Sequence, residues 1–345
     1  MATHQKPVNL GLQGGGAHGA FAWGVLDYLL EDGRLHFAGL TATSAGAMNA
    51  VAYAYGFVKG GRDGARESLE TFWRAVARAG GWYKPAAQFP FNAMPSGWLD
   101  HEWATYAALE TITRTVSPYD FNPFNFNPLR DVLEAVIDFD ELHHCTQTKL
   151  FITATNVRSG KAKVFRTNEV TIDVVLASAC LPYLFQAVEI DGEYYWDGGY
   201  MGNPSLWPLF YDVDASDLVV VHLNPMYREE IPKRPSEILN RINEISFNAS
   251  LLKEMRSIAF VQKLLHQGLL KEEYTDKYRD IRFHSIRADK VLGDLSVASK
   301  FNTGITFFEE LRDRGREAAA AWLDENYNAI GNRSSVELHA EFLDL

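Results

Sequence analysis

Ser44 stands between a short apolar run, Ala38 to Thr43, and the small residues Ala45-Gly46-Ala47-Met48-Asn49-Ala50, which open a helix. A serine hydroxyl becomes a useful nucleophile only where a base takes its proton and donors stabilise the oxyanion formed on attack at a carbonyl. A strand-to-helix turn supplies part of that setting: it lifts Oγ clear of the backbone and aims the positive end of the helix at developing negative charge. Small neighbours let such a crowded turn close, although the residue two before the serine is Ala42, where the usual elbow has glycine. Upstream, Gly14, Gly15 and Gly16 carry no side chains to block their N–H groups, and such a run can turn successive amides toward one point. Asp197 is a candidate base, since Gly198 and Gly199 let the chain bend away behind an inward-pointing carboxylate; an aspartate that merely caps a turn is the alternative. An aspartate alone is a weak base, so burial is expected to raise its pKa. His222 supplies a rival scheme, because Ser44, Asp197 and His222 stand in the chain order of an α/β-hydrolase triad.

The glycine loop has a second reading. Gly14-x-Gly16-x-x-Gly19, after a strand and before a helix, matches the dinucleotide-binding fingerprint. That fingerprint wants an acidic residue about 20 positions on, at the end of the second strand. Leu40-Thr41-Ala42-Thr43-Ser44 occupies that place, which argues for an oxyanion rather than a nucleotide phosphate.

The elements that must hold these residues follow from periodicity and turn chemistry. Val8 to Leu12 reads as a strand, and Ala20 to Asp32 as a helix with Phe21, Val25 and Leu29 on one face, ended by Gly33. Residues 62–79 are helical, with Gly60-Gly61 and Gly80-Gly81 as punctuation. From Gly81 to Pro128 the chain is rich in aromatics, among them Trp82, Phe89, Trp98, Trp103, Tyr119 and Phe124. Such a stretch suits a cap that offers rings to an acyl chain, or an irregular segment whose rings pack on the sheet. Leu129 to Leu142 is expected to be one helix, Leu150 to Thr155 to pair with Ala162 to Thr167, and Ile172 to Ala179 to be a helix stopped by Pro182. Asp191-Gly192 predicts a tight hairpin leading straight to Asp197, and Leu218 to Leu223 reads as a strand buried on both faces. Ser236 to Leu270 carries Ile238, Ile242, Ile245, Leu252, Met255, Ala259 and Leu265 at helical spacing, one long or broken helix expected to face the core, with a partner face as the alternative. A strand at Ile281 to Ile286 and a helix at Thr306 to Tyr327 complete the chain.

The length of 345 residues and the 47% hydrophobic content suit one large α/β domain with a cap. Cys145 and Cys180 are too few for a disulfide framework and lack metal-ligand spacing, so buried thiols are expected. The N-terminal residues lack the apolar region of a signal peptide, and no apolar run reaches the ~20 residues of a membrane span, so a cytoplasmic protein is the expectation. A net charge of -11 with no concentrated basic stretch argues against nucleic acid and against long-range attraction to anionic membranes. Any contact with a lipid surface must then be local and apolar.

The order Gly-Gly-Gly-x-x-Gly, then the serine turn, then Trp196-Asp197-Gly198-Gly199 resembles the patatin-like phospholipases, with further similarity around Ala177 to Pro182 and at Asn203-Pro204. The resemblance spans about residues 8–225, with the cap-like insertion at about 81–128. It implies a three-layer α/β fold whose mostly parallel sheet is flanked by helices. It also implies a Ser/Asp dyad of Ser44 and Asp197, with Gly14, Gly15 and Gly16 as oxyanion hole. Residues 226–345 resemble, in their last part, the C-terminal extension of a bacterial subgroup and are expected to pack on the same domain. His18 stands where the family usually carries Arg or Lys; as the loop's support it would make activity fall when it loses its proton near neutral pH. The activity implied is hydrolysis of lipid or other apolar acyl esters through an acyl-enzyme, without metal or organic cofactor. A triad using His222 and a non-catalytic acyl-binding protein are the alternatives.

Overall fold

In the computed structural model, residues 5–80, 116–233 and 235–343 are described, apart from 276, 294 and 296. Much of the expected aromatic cap, including Trp82, Phe89, Trp98 and Trp103, therefore lies outside the described residues.

The apolar runs form one eight-stranded sheet. Strands are β1 Lys6–Leu12, β2 Leu35–Ala42, β3 Lys149–Asn156, β4 Ala162–Arg166, β5 Val188–Ile190, β6 Glu193–Asp197, β7 Asp217–His222 and β8 Arg282–Arg287. The spatial order is β5-β6-β3-β2-β1-β7-β8, with β4 also pairing β3. The middle is parallel, from β3 through β2, β1 and β7 to β8, while β4, β5 and β6 pair antiparallel.

Helices are α1 Gly19–Asp32, α2 Ala45–Gly80, α3 Pro128–Val136, α4 Phe139–Leu142, α5 Ile172–Ser178, α6 Pro235–His266 and α7 Ile305–Asn326. Helix α1 ends at Gly33, whose φ of 75° permits the left-handed cap that bonds back to the Leu29 carbonyl. Helix α2 breaks at Gly60 and Gly61, which leave helical φ/ψ, as the paired glycines suggested. The single helix expected over Leu129 to Leu142 is two. Ile137 is extended, and the Asp138 side chain accepts from the Asp140 and Glu141 amides, starting α4 afresh. The Asp191-Gly192 turn joins β5 to β6 with φ of 52° and 77°, both positive as a type I′ hairpin requires.

Strand β7 shows why there are three layers. Its side chains alternate, so Val219 and Val221 pack into a core with α1, α2, α5 and α7, while Leu218 and Val220 pack into a second core with Leu251, Met255 and Ile258 of α6. Apolar residues on both faces fit a parallel strand covered by helices on each side. The apolar stripe of α6 divides: Met255 and Ala259 are buried, but Ile238, Ile242 and Ile245 are exposed, contrary to the expectation of core packing throughout. In the aromatic stretch, Tyr119, Phe121, Phe124 and Phe126 are exposed rather than packed on the sheet. Cys145 and Cys180 are buried free thiols. Among the described residues, no helix is long and apolar enough to cross a membrane.

Candidate active site

Three strands bring Ser44 and Asp197 together. Strand β4 occupies one edge of β3 over Phe151–Thr155, so β2 and β6 share the other edge end to end. Strand β2 arrives parallel and stops with Ala42 opposite Ile152; β6 arrives from the other direction and stops with Asp197 opposite Ala154. Their C-terminal ends thus meet over the middle of β3, with Ser44 two residues beyond one end and Asp197 at the other.

Ser44 has φ of 55°, the left-handed conformation that a non-glycine residue rarely takes, and α2 begins at the next residue. The sharp turn forms with Ala42 in place of glycine. Its main chain is braced from α5: Ser178 Oγ accepts the Ser44 N–H at 2.9 Å and donates to the Thr153 carbonyl at 2.7 Å. The Asp197 N–H donates to the Cys180 carbonyl at 2.7 Å. The sequence showed Ala177 to Pro182 only as part of a resemblance; its bracing role depends on distant partners and has no local signature.

Asp197 is buried and accepts the Gly199 N–H at 2.7 Å, and the half-buried Ser44 hydroxyl lies near enough to its carboxylate to favour the ionised form. Burial pushes the Asp197 pKa up to about 7; Gly199 and Ser44 offset only part of that cost. The carboxyl group therefore changes charge near neutral pH, where a general base is most useful. Tyr200, partly exposed just after Gly199, has its phenol pKa raised to about 12 by burial first and by the Asp197 charge second, which places it beside the carboxylate.

The glycine loop packs directly on the serine. A Cβ on Gly14 would lie 2.7 Å from Ser44 Cβ, so no side chain fits there. Of the three amides expected to face an oxyanion, that of Gly14 is already committed, donating to Asn203 Oδ1 at 2.7 Å. The Gly15 and Gly16 amides have no protein acceptor among the described residues and stay available. The Gly14 amide is therefore not free as expected, because Asn203, some 190 residues away in sequence, reaches it in the fold.

His18 is buried behind the loop, with Nε2 and Ser299 Oγ 2.7 Å apart. Burial, and then the nearby Lys300 charge, lower its pKa to about 3. His18 is thus neutral throughout the ordinary range, and the expected loss of a proton near pH 7 does not occur there. Nor does His222 join the site. It is buried, its ring stacks on Phe342, and neither ring nitrogen has a hydrogen-bond partner among the described residues. Burial, then Arg287, hold its pKa down at about 3. A triad needs this imidazole between Ser44 and Asp197, but the groups that act on the Asp197 carboxylate are Gly199 and Ser44, and His222 is not among them. Among the described residues, no group of three or more His, Cys, Asp or Glu side chains is arranged to hold a metal ion.

Comparison with known proteins bears on this arrangement. No curated protein matches the chain. Among solved structures, the crystal structure of VipD from Legionella pneumophila is similar at 14% identity and a TM-score of 0.43, covering 99% of this chain and 73% of that one. The family model of the patatin-like phospholipases matches residues 10–210, a stretch that runs from the first strand past the glycine loop, the serine turn, Asp197 and Asn203. That match takes in more than half of the chain and every block the geometry brings together, and the protein belongs to the patatin-like phospholipase family.

Proposed function

We propose that this protein is a serine ester hydrolase in which Ser44 and Asp197 act as a dyad on lipid or other apolar acyl esters. Membership of the patatin-like phospholipase family implies lipid acyl hydrolase activity. The observation that supports the finer reading is the meeting of two strand ends over β3, which brings Ser44, on a left-handed turn, beside a buried carboxylate whose pKa lies near neutrality. Ionised Asp197 takes the hydroxyl proton as Ser44 Oγ attacks the ester carbonyl, and the Gly15 and Gly16 amides receive the oxyanion. Collapse of the tetrahedral intermediate expels the alcohol, which takes the proton from Asp197. Water then attacks the acyl-serine, with Asp197 again accepting a proton, and that proton passes to Ser44 Oγ as the carbonyl–Oγ bond breaks and the acid leaves. No step requires a metal or organic cofactor. Tyr183, Tyr200 and Met201 present exposed apolar surface in the segments around Asp197, which supports an apolar acyl group.

Hydrolysis of a p-nitrophenyl ester series from short to long acyl chains is the test. Ser44→Ala and Asp197→Asn should abolish turnover and the chain-length optimum should size the acyl pocket. A parent inert on every ester and unlabelled by a fluorophosphonate would instead leave an acyl-binding protein as the better account.

A further inference from the structure

The glycine loop is held from behind by a segment far away in the sequence. The short 3-10 helix Val297–Phe301 lies against the loop. Its Lys300 carbonyl would stand 2.6 Å from a Cβ on Gly16, whose φ is 58°. The same segment places Ser299 Oγ on His18. Lys300 Nζ donates to Asn224 Oδ1 at 3.1 Å, and Asn224 Nδ2 donates to the Gly14 carbonyl at 2.9 Å.

Hydrogen-bond chemistry gives this chain a direction. An ammonium has donors and no acceptor, so it admits only the oxygen of the Asn224 amide, and the NH2 must turn to the loop. The Gly14 carbonyl and the Gly15 N–H share one planar trans peptide and point to opposite sides of it. Anchoring that carbonyl to Asn224 therefore sets where the Gly15 amide points. The Gly15 carbonyl is likewise anchored, accepting the His18 N–H at 3.3 Å, which orients the Gly16 amide. Gln13 keeps Asn224 in place, its Oε1 accepting the Asn224 main-chain N–H at 3.0 Å. Burial lowers the Lys300 pKa, and the charge of the nearby Glu244 carboxylate, which Arg228 and Arg241 hold, works the other way. A small cavity lies among His18, Arg228, Glu244 and Lys300.

We infer that Lys300 is a positioning residue for the ester hydrolysis, acting through Asn224 and the Gly14 carbonyl to aim the Gly15 amide at the oxyanion. The C-terminal segment is then part of the catalytic apparatus and not only of the fold. This inference rests on the reading of Gly15 as an oxyanion donor. An amide misplaced by about 1 Å can cost on the order of a hundredfold in rate.

The experiment compares the full-length parent, Lys300→Met, Lys300→Arg, Asn224→Asp, Asn224→Ala and the Lys300→Met/Asn224→Ala pair in p-nitrophenyl ester hydrolysis, with Ser44→Ala as control. Lys300→Met should lower kcat by about ten- to a hundredfold with KM within about twofold. Lys300→Arg should restore much of the loss. In the Asn224→Ala background, Lys300→Met should cost nothing further, because both act along one chain of bonds. Asn224→Asp keeps size and gains an ion pair with Lys300, so it should fold; it turns an oxygen on the Gly14 carbonyl and should lose turnover like Lys300→Met. Unchanged kcat in Lys300→Met or Asn224→Asp, or losses that multiply independently, would overturn the inference while Ser44-dependent activity in the parent left the proposed function standing. Turnover that survives Ser44→Ala, or an inert parent, would overturn both.

Discussion

At the scale of single residues, the chemistry turns on how burial sets protonation. Asp197 acts as a base only when ionised, so kcat/KM should rise with pH and level off above an apparent pKa of about 7, which a pH-rate profile measures. The same group predicts a stability effect with a definite sign. Its folded pKa is raised from 3.8 to about 7, so the folded state holds the extra proton in that window and stability falls as pH rises through it. Asp197→Asn should remove a cost on the order of 4 kcal/mol above pH 7 and almost none near pH 4, seen as a Tm gain confined to the higher pH. His222 has the opposite sign. Its pKa falls from 6.5 to about 3 on folding, so its stability contribution is full above pH 6.5 and lost as pH drops toward 3. His222→Leu should keep near-parental turnover and lose less Tm than the parent between pH 7.5 and 5. If turnover instead vanished, the triad scheme would return.

At the scale of elements, helix α1 shows how close packing brings the C-terminal segment to the site. A Cβ on Gly24 would lie 1.9 Å from the Arg312 carbonyl of α7, and one on Gly315 would lie 2.1 Å from the Phe21 carbonyl of α1. The two helices touch backbone to backbone at both contacts, and α7 follows closely on the segment that carries Lys300. Gly24→Ala forces them apart and should destabilise the protein by about 1–3 kcal/mol, measured by thermal or urea unfolding. Because α7 and α1 flank the loop, part of the turnover should be lost as well.

At the scale of the whole molecule, the last part of the chain is locked onto the sheet. Strand β8 pairs with β7, and buried Asp217 on β7 gathers Arg282 at 2.8 Å, His284 at 3.0 Å and the Gly331 amide at 2.9 Å. Burial works to raise the Asp217 pKa, but the bonds from His284, Arg282 and Gly331 prevail and hold it at about 2. Its contribution to stability is therefore present above pH 3.8 and lost as pH falls toward 2. Asp217→Ala leaves buried donors and a cation without their partner and should cost about 3–5 kcal/mol, read from urea unfolding at pH 7. A smaller loss would mean that β8 is held chiefly by its apolar contacts.

How much of this was legible beforehand depends on the range of the interactions concerned. The left-handed Gly33 cap, the Asp191-Gly192 hairpin, the apolar run Leu218 to Val221 of β7 and the serine turn rest on neighbouring residues and their backbone preferences, so the amino-acid sequence by itself determined them. The split of one expected helix at Asp138 was also local in cause, but the capping bonds of Asp138 competed with an apolar periodicity that looked continuous. Only the tertiary structure decided that β2 and β6 end against the same edge of β3 and so bring Ser44 to Asp197. It also decided that Asn203 takes the Gly14 amide, that His18 and His222 are held neutral, and that Lys300 stands behind the loop. Periodicity and turn chemistry are written in adjacent residues, whereas desolvation and the choice of hydrogen-bond partner are set by whatever the completed fold places alongside.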